Sequence, residues 1–157
     1  MNLDQRIHIA QVRTAAATMA APDLYALMLS GSPLQRSNAA WVLTHKPDDE
    51  IANLPQHEMI DLILSTESTT LRRLVLNLVE RQPLDAEYMR SDFLDYCLSH
   101  MAMLEEPPGV QTLCMKLAHR MCSHYPELAN EFGETLRLIP AEHYKPATKC
   151  LIKKLKK

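Results

Sequence analysis

The chain has 157 residues, with 17 Lys and Arg against 19 Asp and Glu and a formal net charge of -2. This length fits one domain whose core needs no disulfide or metal to fold. The near-neutral charge gives no overall attraction to nucleic acid or anionic lipid. No apolar run reaches the roughly 20 residues that a membrane-spanning helix requires. We therefore expect a single domain over residues 1–157 without a membrane segment.

Cysteine and glycine usage narrows the class further. The 4 cysteines are scattered without a C-x-x-C pair, and no signal-like segment precedes the first helix, which favours free thiols in a reducing cytoplasm. Only 3 glycines occur, whereas strand-and-turn folds and phosphate-binding loops use glycine freely at positive φ. A helical protein is the expected result.

Helical periodicity runs through nearly the whole chain. The ranges 3–19 and 21–31 form one predicted helix pair. In range 32–47, Ser32 stands as N-cap, Pro33 as the first helical residue and Pro47 as the stop. Apolar stripes of the same kind follow in further ranges, which alternate as first helices and partner helices: 55–67, 68–83, 90–104, 107–126, 126–140 and 145–157. The chain thus predicts four helix pairs and a final capping helix.

The stops at Pro47, Pro83 and Pro126 recur at intervals of roughly 36 to 43 residues, near the period of HEAT and armadillo repeats. The segments "RSNAAWVLTHKP", "LRRLVLNLVERQP" and "VQTLCMKLAHRMCSHYPEL" resemble first helices of HEAT-type repeats. The resemblance implies an all-α fold, a right-handed α-α superhelix of stacked antiparallel helix pairs. Arg72 and Arg73, with Asp48 or Asp49, fit part of the aspartate and arginine ladder of such repeats. A compact helical bundle is the alternative.

The stretch "HRMCSHYPEL" brings His119, Cys122 and His124 within six positions. On a regular helix His124 lies roughly 140° from His119, so the three cannot converge on one ion. A structural zinc site needs four ligands, and no paired spacing supplies the others. We interpret Cys122 instead as part of an apolar ridge with Cys114 and Ala118, with the histidines at its polar edge, and expect no metal and no cofactor.

No catalytic motif is present: the sequence lacks a Walker-type loop, a dinucleotide fingerprint and an H-E-x-x-H helix. The chain is therefore expected not to be an enzyme. The alternative is a nucleic-acid-binding HEAT-like protein related to DNA alkylation repair glycosylases. Resemblance to those enzymes would imply that the chain holds DNA in a basic groove. Trp41 is the only tryptophan, and few aromatic residues accompany it, so nucleic acid is the less favoured partner.

The sign of the side-chain charge alternates from one predicted helix to the next. The predicted first helices are basic: Arg36, Lys46, Arg72, Arg73, Arg81, Lys116, Arg120 and Lys149. The predicted second helices are acidic, and in a HEAT-type solenoid second helices line the concave surface. This predicts a non-enzymatic interaction or scaffold module whose acidic concave surface binds a basic protein, through Glu58, Asp61, Asp92, Asp95, Glu131 and Glu134. Alternatively, the opposite charges form exposed ion pairs worth roughly 0 to 1 kcal/mol each.

The C-terminal helix carries several lysines around an apolar stripe: Lys149, Lys153, Lys154, Lys156 and Lys157. Lysines in a last turn complement the helix dipole and give a terminal repeat a polar face, which we favour over contact with lipid or nucleic acid. The sequence leaves the oligomeric state and the identity of the partner open.

Overall fold

The computed structural model describes residues 2–84 and 89–156, which form ten α-helices, one short 3₁₀ helix and no β-strand. The all-α class is thereby confirmed. Two compact units, residues 1–83 and 84–157, divide the chain. The helices are α1 (Ile9–Thr18), α2 (Ala21–Ser30), α3 (Pro33–Leu43), α4 (Asp48–Ala52), α5 (Gln56–Ser65), α6 (Thr69–Glu80), α7 (Ser91–Met101), α8 (Pro108–Cys122), α9 (Pro126–Leu138) and α10 (Pro146–Leu155).

Helix starts follow the signals in the sequence. The hydroxyl of Ser32 accepts a hydrogen bond from the Gln35 amide at 3.3 Å, and Pro33 opens α3. Ser68 caps α6 in the same way, through the Leu71 amide. Both hydroxyls satisfy an amide that has no partner within the helix, so the predicted N-cap of α3 is confirmed.

In the first unit, α2 and α3 form an antiparallel hairpin and α5 and α6 form a second one. The turn between α2 and α3 has only two residues, Gly31 and Ser32. A Cβ atom at Gly31 would lie 2.7 Å from the carbonyl oxygen of Leu27, so this close turn requires glycine. Helix α3 packs on α6, which stacks one hairpin on the other, and α1 packs on α3.

This pairing corrects the predicted order of the helices. Ranges 3–19 and 21–31 were expected to pair with each other, but α2 pairs with α3 and α1 packs on α3. The helices resembling first helices, α3 and α6, therefore come second in their hairpins. Periodicity identifies helices but not the helices they pair with, whereas a short connection favours pairing of the two helices that it joins. Helices α3 and α5 are separated by the longer connection 44–55, which includes the unexpected α4.

The N-terminal segment before α1 is not helical, although range 3–19 was predicted as one helix. Leu3 has φ 60°, and the amide group of Asn38 on α3 donates to the carbonyl oxygens of Leu3 at 3.0 Å and Gln5 at 2.8 Å. Asn38 is 6% exposed. This buried side chain fixes the segment against α3 and satisfies two backbone acceptors that helix formation would otherwise have used.

Arg81, just after α6, connects the two hairpins of the first unit. Its guanidinium donates to the carbonyl oxygens of Thr44 and Lys46, both at 2.7 Å, and through Nε to Asp48 Oδ1 at 2.8 Å. The first two acceptors lie at the end of α3 and in the loop after it. These contacts, which we call the Arg81 bridge, satisfy C-terminal carbonyl groups that α3 leaves unpaired.

Gln82 continues this connection from a buried position, 3% exposed. Its amide nitrogen donates to the carbonyl oxygens of Ile51 at 2.8 Å and Leu54 at 3.0 Å, and its oxygen accepts a hydrogen bond from Gln56 at 3.1 Å. The side chain thereby satisfies acceptors around the end of α4. Each of these carbonyl groups would be costly to leave unpaired in the interior.

In the second unit, α8 is the central helix. It forms a hairpin with α7, and both α9 and α10 pack on it. The Tyr144 hydroxyl, after the 3₁₀ helix Ala141–His143, donates to the carbonyl oxygen of Met101 at 2.9 Å. Met101 is fully buried, whereas Met103 and Leu104 are 37% and 49% exposed. Of these three residues, only Met101 is part of the core.

Candidate partner-binding surface

Glu58 and Asp61 are the two predicted partner-binding residues of the first unit. Both lie on α5 with exposed side chains. Glu58 already accepts a hydrogen bond, 2.6 Å long, from the Tyr25 hydroxyl of α2. Burial of Tyr25, followed by this bond and the Glu58 charge, raises the pKa of the tyrosine well above its ordinary range. A partner that takes Glu58 would have to compete with Tyr25.

Asp92, at the start of α7, is committed to an ion pair. Its Oδ2 atom lies 2.7 Å from Nη2 of Arg90, and its Oδ1 atom accepts from the Phe93 amide at 2.8 Å. The hydrogen bond from Arg90 is the main cause that lowers the pKa of Asp92. The Asp92 carboxylate therefore stabilises the N-terminus of α7 while it remains exposed on the surface.

The three remaining carboxylates of the second unit differ in what they contact. Glu134 forms an ion pair with Arg137, one turn further along α9. Asp95 and Glu131 are exposed and have no side-chain hydrogen bond or ion pair within the described residues. Among the six predicted carboxylates, these two are the most available to a partner.

Two of the three acidic helices, α5 and α7, do not stand where the sequence placed them, whereas α9 follows α8 as predicted. Helices α5 and α7 come first in their hairpins, with α6 and α8 as the second members. The expectation of an acidic concave face assumed that the acidic helices come second in their pairs. The observed positions of α5 and α7 contradict that assumption. The six side chains remain candidates because all of them are exposed, not because of a place on an inner surface.

Three arginines of the first unit donate hydrogen bonds to backbone carbonyl groups. Arg36 donates from Nε to the carbonyl oxygen of Met28 at 2.9 Å, and Arg72 from Nη2 to that of Thr66 at 2.6 Å. Each bond caps the end of the preceding helix, α2 or α5. With the Arg81 bridge, three of the predicted basic side chains bind backbone carbonyl groups rather than facing a ligand. Arg81, not Arg72 or Arg73, is the arginine that pairs with Asp48.

The lysines of the second unit are different. Lys116 on α8 is exposed, as are the described lysines in and around α10: Lys145, Lys149, Lys153, Lys154 and Lys156. None of these ammonium groups has an ion pair or hydrogen bond within the part of the chain that the structure describes. Lys157 lies outside the described residues. Four of the described lysines, Lys149, Lys153, Lys154 and Lys156, belong to the predicted polar cap, and their exposure agrees with that role.

The cysteine and histidine stretch belongs to the core of α8 and its edge. Cys114, Ala118 and Cys122 are at most 1% exposed, whereas His119 and His124 are exposed; the predicted apolar ridge is confirmed. Burial, with the charge of Glu131 nearby, raises the pKa of the Cys122 thiol to about 11. No group of three His, Cys, Asp or Glu side chains among the described residues could hold a metal ion.

A cavity of about 240 Å³ lies beside the N-terminal segment. Asn2, Asp4, Arg6 and Gln11 are among the polar side chains that line it, and none of the six predicted carboxylates does. Within the described ranges, no helix is long and apolar enough to cross a bilayer.

Comparison with known proteins agrees with this architecture. A family model described as a HEAT repeat domain matches residues 2–157, which includes both compact units. No curated protein and no solved structure gives a match. The stacked hairpins of the first unit, the helical second unit and the family match together show that this chain belongs to the HEAT repeat family.

Proposed function

We propose that the chain is a non-enzymatic scaffold that binds another protein through exposed carboxylates on α5, α7 and α9. The observation that supports this most is that all six predicted side chains are exposed on helices that each bury apolar residues on another side. HEAT repeats generally mediate protein interactions, and membership in this family agrees with such a role. The four free thiols fit the proposed cytoplasmic location.

Within the second unit, Asp95 and Glu131 are the proposed determinants of binding. Their charges are not compensated by a neighbouring cation, so a lysine or arginine of the partner gains an attraction without displacing an existing one. Glu58, Asp92 and Glu134 already have partners in the chain. The preferred partner therefore presents a basic segment or surface to α7 and α9.

Nucleic-acid binding through the basic helices, the alternative, has less support in the first unit. Arg36, Arg72 and Arg81 bind backbone carbonyl groups there, and moving them to phosphates would break these bonds. A polyanion would also have to find its cations on α8 and α10 of the second unit.

The test uses matched charge reversals. Asp95→Lys with Glu131→Lys changes two uncompensated carboxylates, and Glu67→Lys with Glu105→Lys makes the same change in net charge at two exposed loop positions. The protein partner is first captured from an extract of the source organism after nuclease treatment. Its affinity for each purified variant is then measured by calorimetry.

We expect the first pair of substitutions to weaken binding about tenfold or more, because attraction turns into repulsion at two contacts. The control pair should change affinity by less than about threefold. Equal effects of the two pairs would mean that net charge, rather than the α7 and α9 carboxylates, governs the association, and would refute the proposed site.

A further inference from the structure

Helix α10 and the loop before it carry a concentrated positive charge. Residues 145–156 contain five lysines and no Asp or Glu, whereas residues 89–142 contain eight Asp and Glu against four Lys and Arg. All five lysines are exposed. A helix-dipole role explains lysines in the last turn, but Lys145 and Lys149 stand at the beginning of α10, where the dipole disfavours them. The helix dipole therefore does not explain why Lys145 and Lys149 are present.

The lysines are not spread evenly around α10. Lys149, Lys153 and Lys156 follow each other at i, i+4 and i+7 and so lie on one side of the helix. We call these three residues the α10 lysine stripe. Lys154, also exposed, lies roughly 100° around the helix from Lys153. The stripe is about 10 Å long, at 1.5 Å per residue.

The apolar side of α10 is occupied by the core. Thr148 is 0% and Ile152 2% exposed, and the helix packs on α8. Helix α8 adds Lys116, which is exposed, and contains no Asp or Glu. Because the apolar side is already buried, α10 cannot lower it into a bilayer as an interfacial helix does. All the charged side chains on its exposed surface are cationic.

The surroundings of the stripe restrict the anion that it fits. Neither α8 nor α10 contains Phe, Tyr or Trp, so bases of a single strand find no stacking surface there. Residues 89–142 contain eight Asp and Glu against four Lys and Arg, so a long polyanion gains no overall attraction from this part of the unit. An extended peptide covers about 10 Å with three to four residues, which matches the stripe.

We propose that the α10 lysine stripe is a second interaction surface that binds a short acidic segment of a partner protein. It uses residues separate from the acidic side chains of the proposed scaffold surface and can be tested without them. Lysine ammonium groups make adaptable single contacts rather than fixed forks, so the segment is defined by its carboxylate density more than by its sequence.

Two neighbouring residues provide the test. Lys153→Glu and Lys154→Glu make the same charge reversal on the same helix, at exposed positions one residue apart, and only the first lies in the stripe. Binding of the full chain to a fluorescent peptide of eight glutamates is measured by anisotropy at about 0.1 M salt, where exposed charges beyond about 10 Å are screened. Thermal unfolding confirms that both variants fold; Lys153→Gln replaces Lys153→Glu if the latter does not.

We expect Lys153→Glu to weaken peptide binding about tenfold and Lys154→Glu less than about threefold. Equal losses would overturn the stripe as a directional surface, as would an absence of peptide binding in the unmodified chain. A 20-nucleotide single strand or phosphatidylserine vesicles bound more tightly than the peptide, with the same dependence on Lys153, would assign the surface to that anion instead. Concentration-dependent self-association lost in Lys153→Glu would make a second copy the occupant and also overturn the proposal.

Discussion

Removing the Arg81 bridge should destabilise the first unit far more than removing Asp48, the carboxylate that pairs with Arg81. In Arg81→Ala, the carbonyl groups of Thr44 and Lys46 lose a charged donor at 2.7 Å. Hydrogen bonds to charged groups contribute about 1.5 to 3 kcal/mol each. The Arg81 side chain is 23% exposed. Water can therefore replace part of the lost hydrogen bonding, and the lower end of the range applies. We expect a loss of about 3 kcal/mol in the free energy of unfolding.

The ion pair with Asp48 should contribute much less. Asp48 is 76% exposed, and exposed ion pairs contribute about 0 to 1 kcal/mol. Asp48→Ala is therefore expected to cost about 0.5 kcal/mol. Arg81→Lys keeps the charge but loses the planar fork, and about half of the stabilisation should go with it. Arg73→Ala, at an exposed position of α6, is the control and should stay within about 0.5 kcal/mol of the unmodified chain.

Urea unfolding followed by tryptophan fluorescence measures these differences in the first unit, because the single tryptophan, Trp41, lies on α3. Arg81→Ala should shift the unfolding midpoint strongly while leaving the slope of the transition unchanged. If Asp48→Ala and Arg81→Ala were equally destabilising, the ion pair would be the whole interaction, and the role of the Arg81 bonds to the Thr44 and Lys46 carbonyl groups would be refuted.

Three further results are expected. Gln82→Ala leaves buried acceptors around the end of α4 unpaired and should cost about 2 kcal/mol in the same assay; a cost below 0.5 kcal/mol, within the usual range of surface changes, would contradict this reading. Asn38→Ala removes the donor to the Leu3 and Gln5 carbonyl oxygens and should cost about 1 to 2 kcal/mol in the same assay; no measurable loss would refute the role of Asn38 in fixing the N-terminal segment. Because the pKa of Cys122 is raised to about 11 from 9.0, the unfolded thiol releases its proton first, and unfolding free energy should fall as pH rises from 9 towards 11. Cys122→Ala should reduce this slope, and an unchanged slope would exclude Cys122 as its source.

Much of the fold could be predicted because its signals are local. Ser32 and Pro33 define the start of α3 through one hydroxyl and one fixed φ. The ridge of Cys114 and Cys122 follows from i+4 spacing alone. Family membership followed from repeated helical segments, whose period survives even where individual residues vary.

The partner of each helix and the role of each cation could not be predicted in the same way. Periodicity is identical whether α3 packs on the helix before it or after it; the two-residue turn at Gly31 was the available signal. Arg81 and Arg73 look alike in sequence, yet only Arg81 reaches carbonyl groups 35 and 37 residues away. Such contacts depend on how hairpins stack, which no local pattern specifies.

The most direct test of the proposed scaffold is a parallel capture experiment in a nuclease-treated extract. The unmodified chain, the Asp95→Lys and Glu131→Lys double variant and the Glu67→Lys and Glu105→Lys control serve as baits, and mass spectrometry quantifies what each recovers. A protein retained by the unmodified chain and the control but lost from the α7 and α9 variant is the predicted result. Equal recovery with all three baits, or recovery of a partner only from an untreated extract captured alongside, would contradict the account.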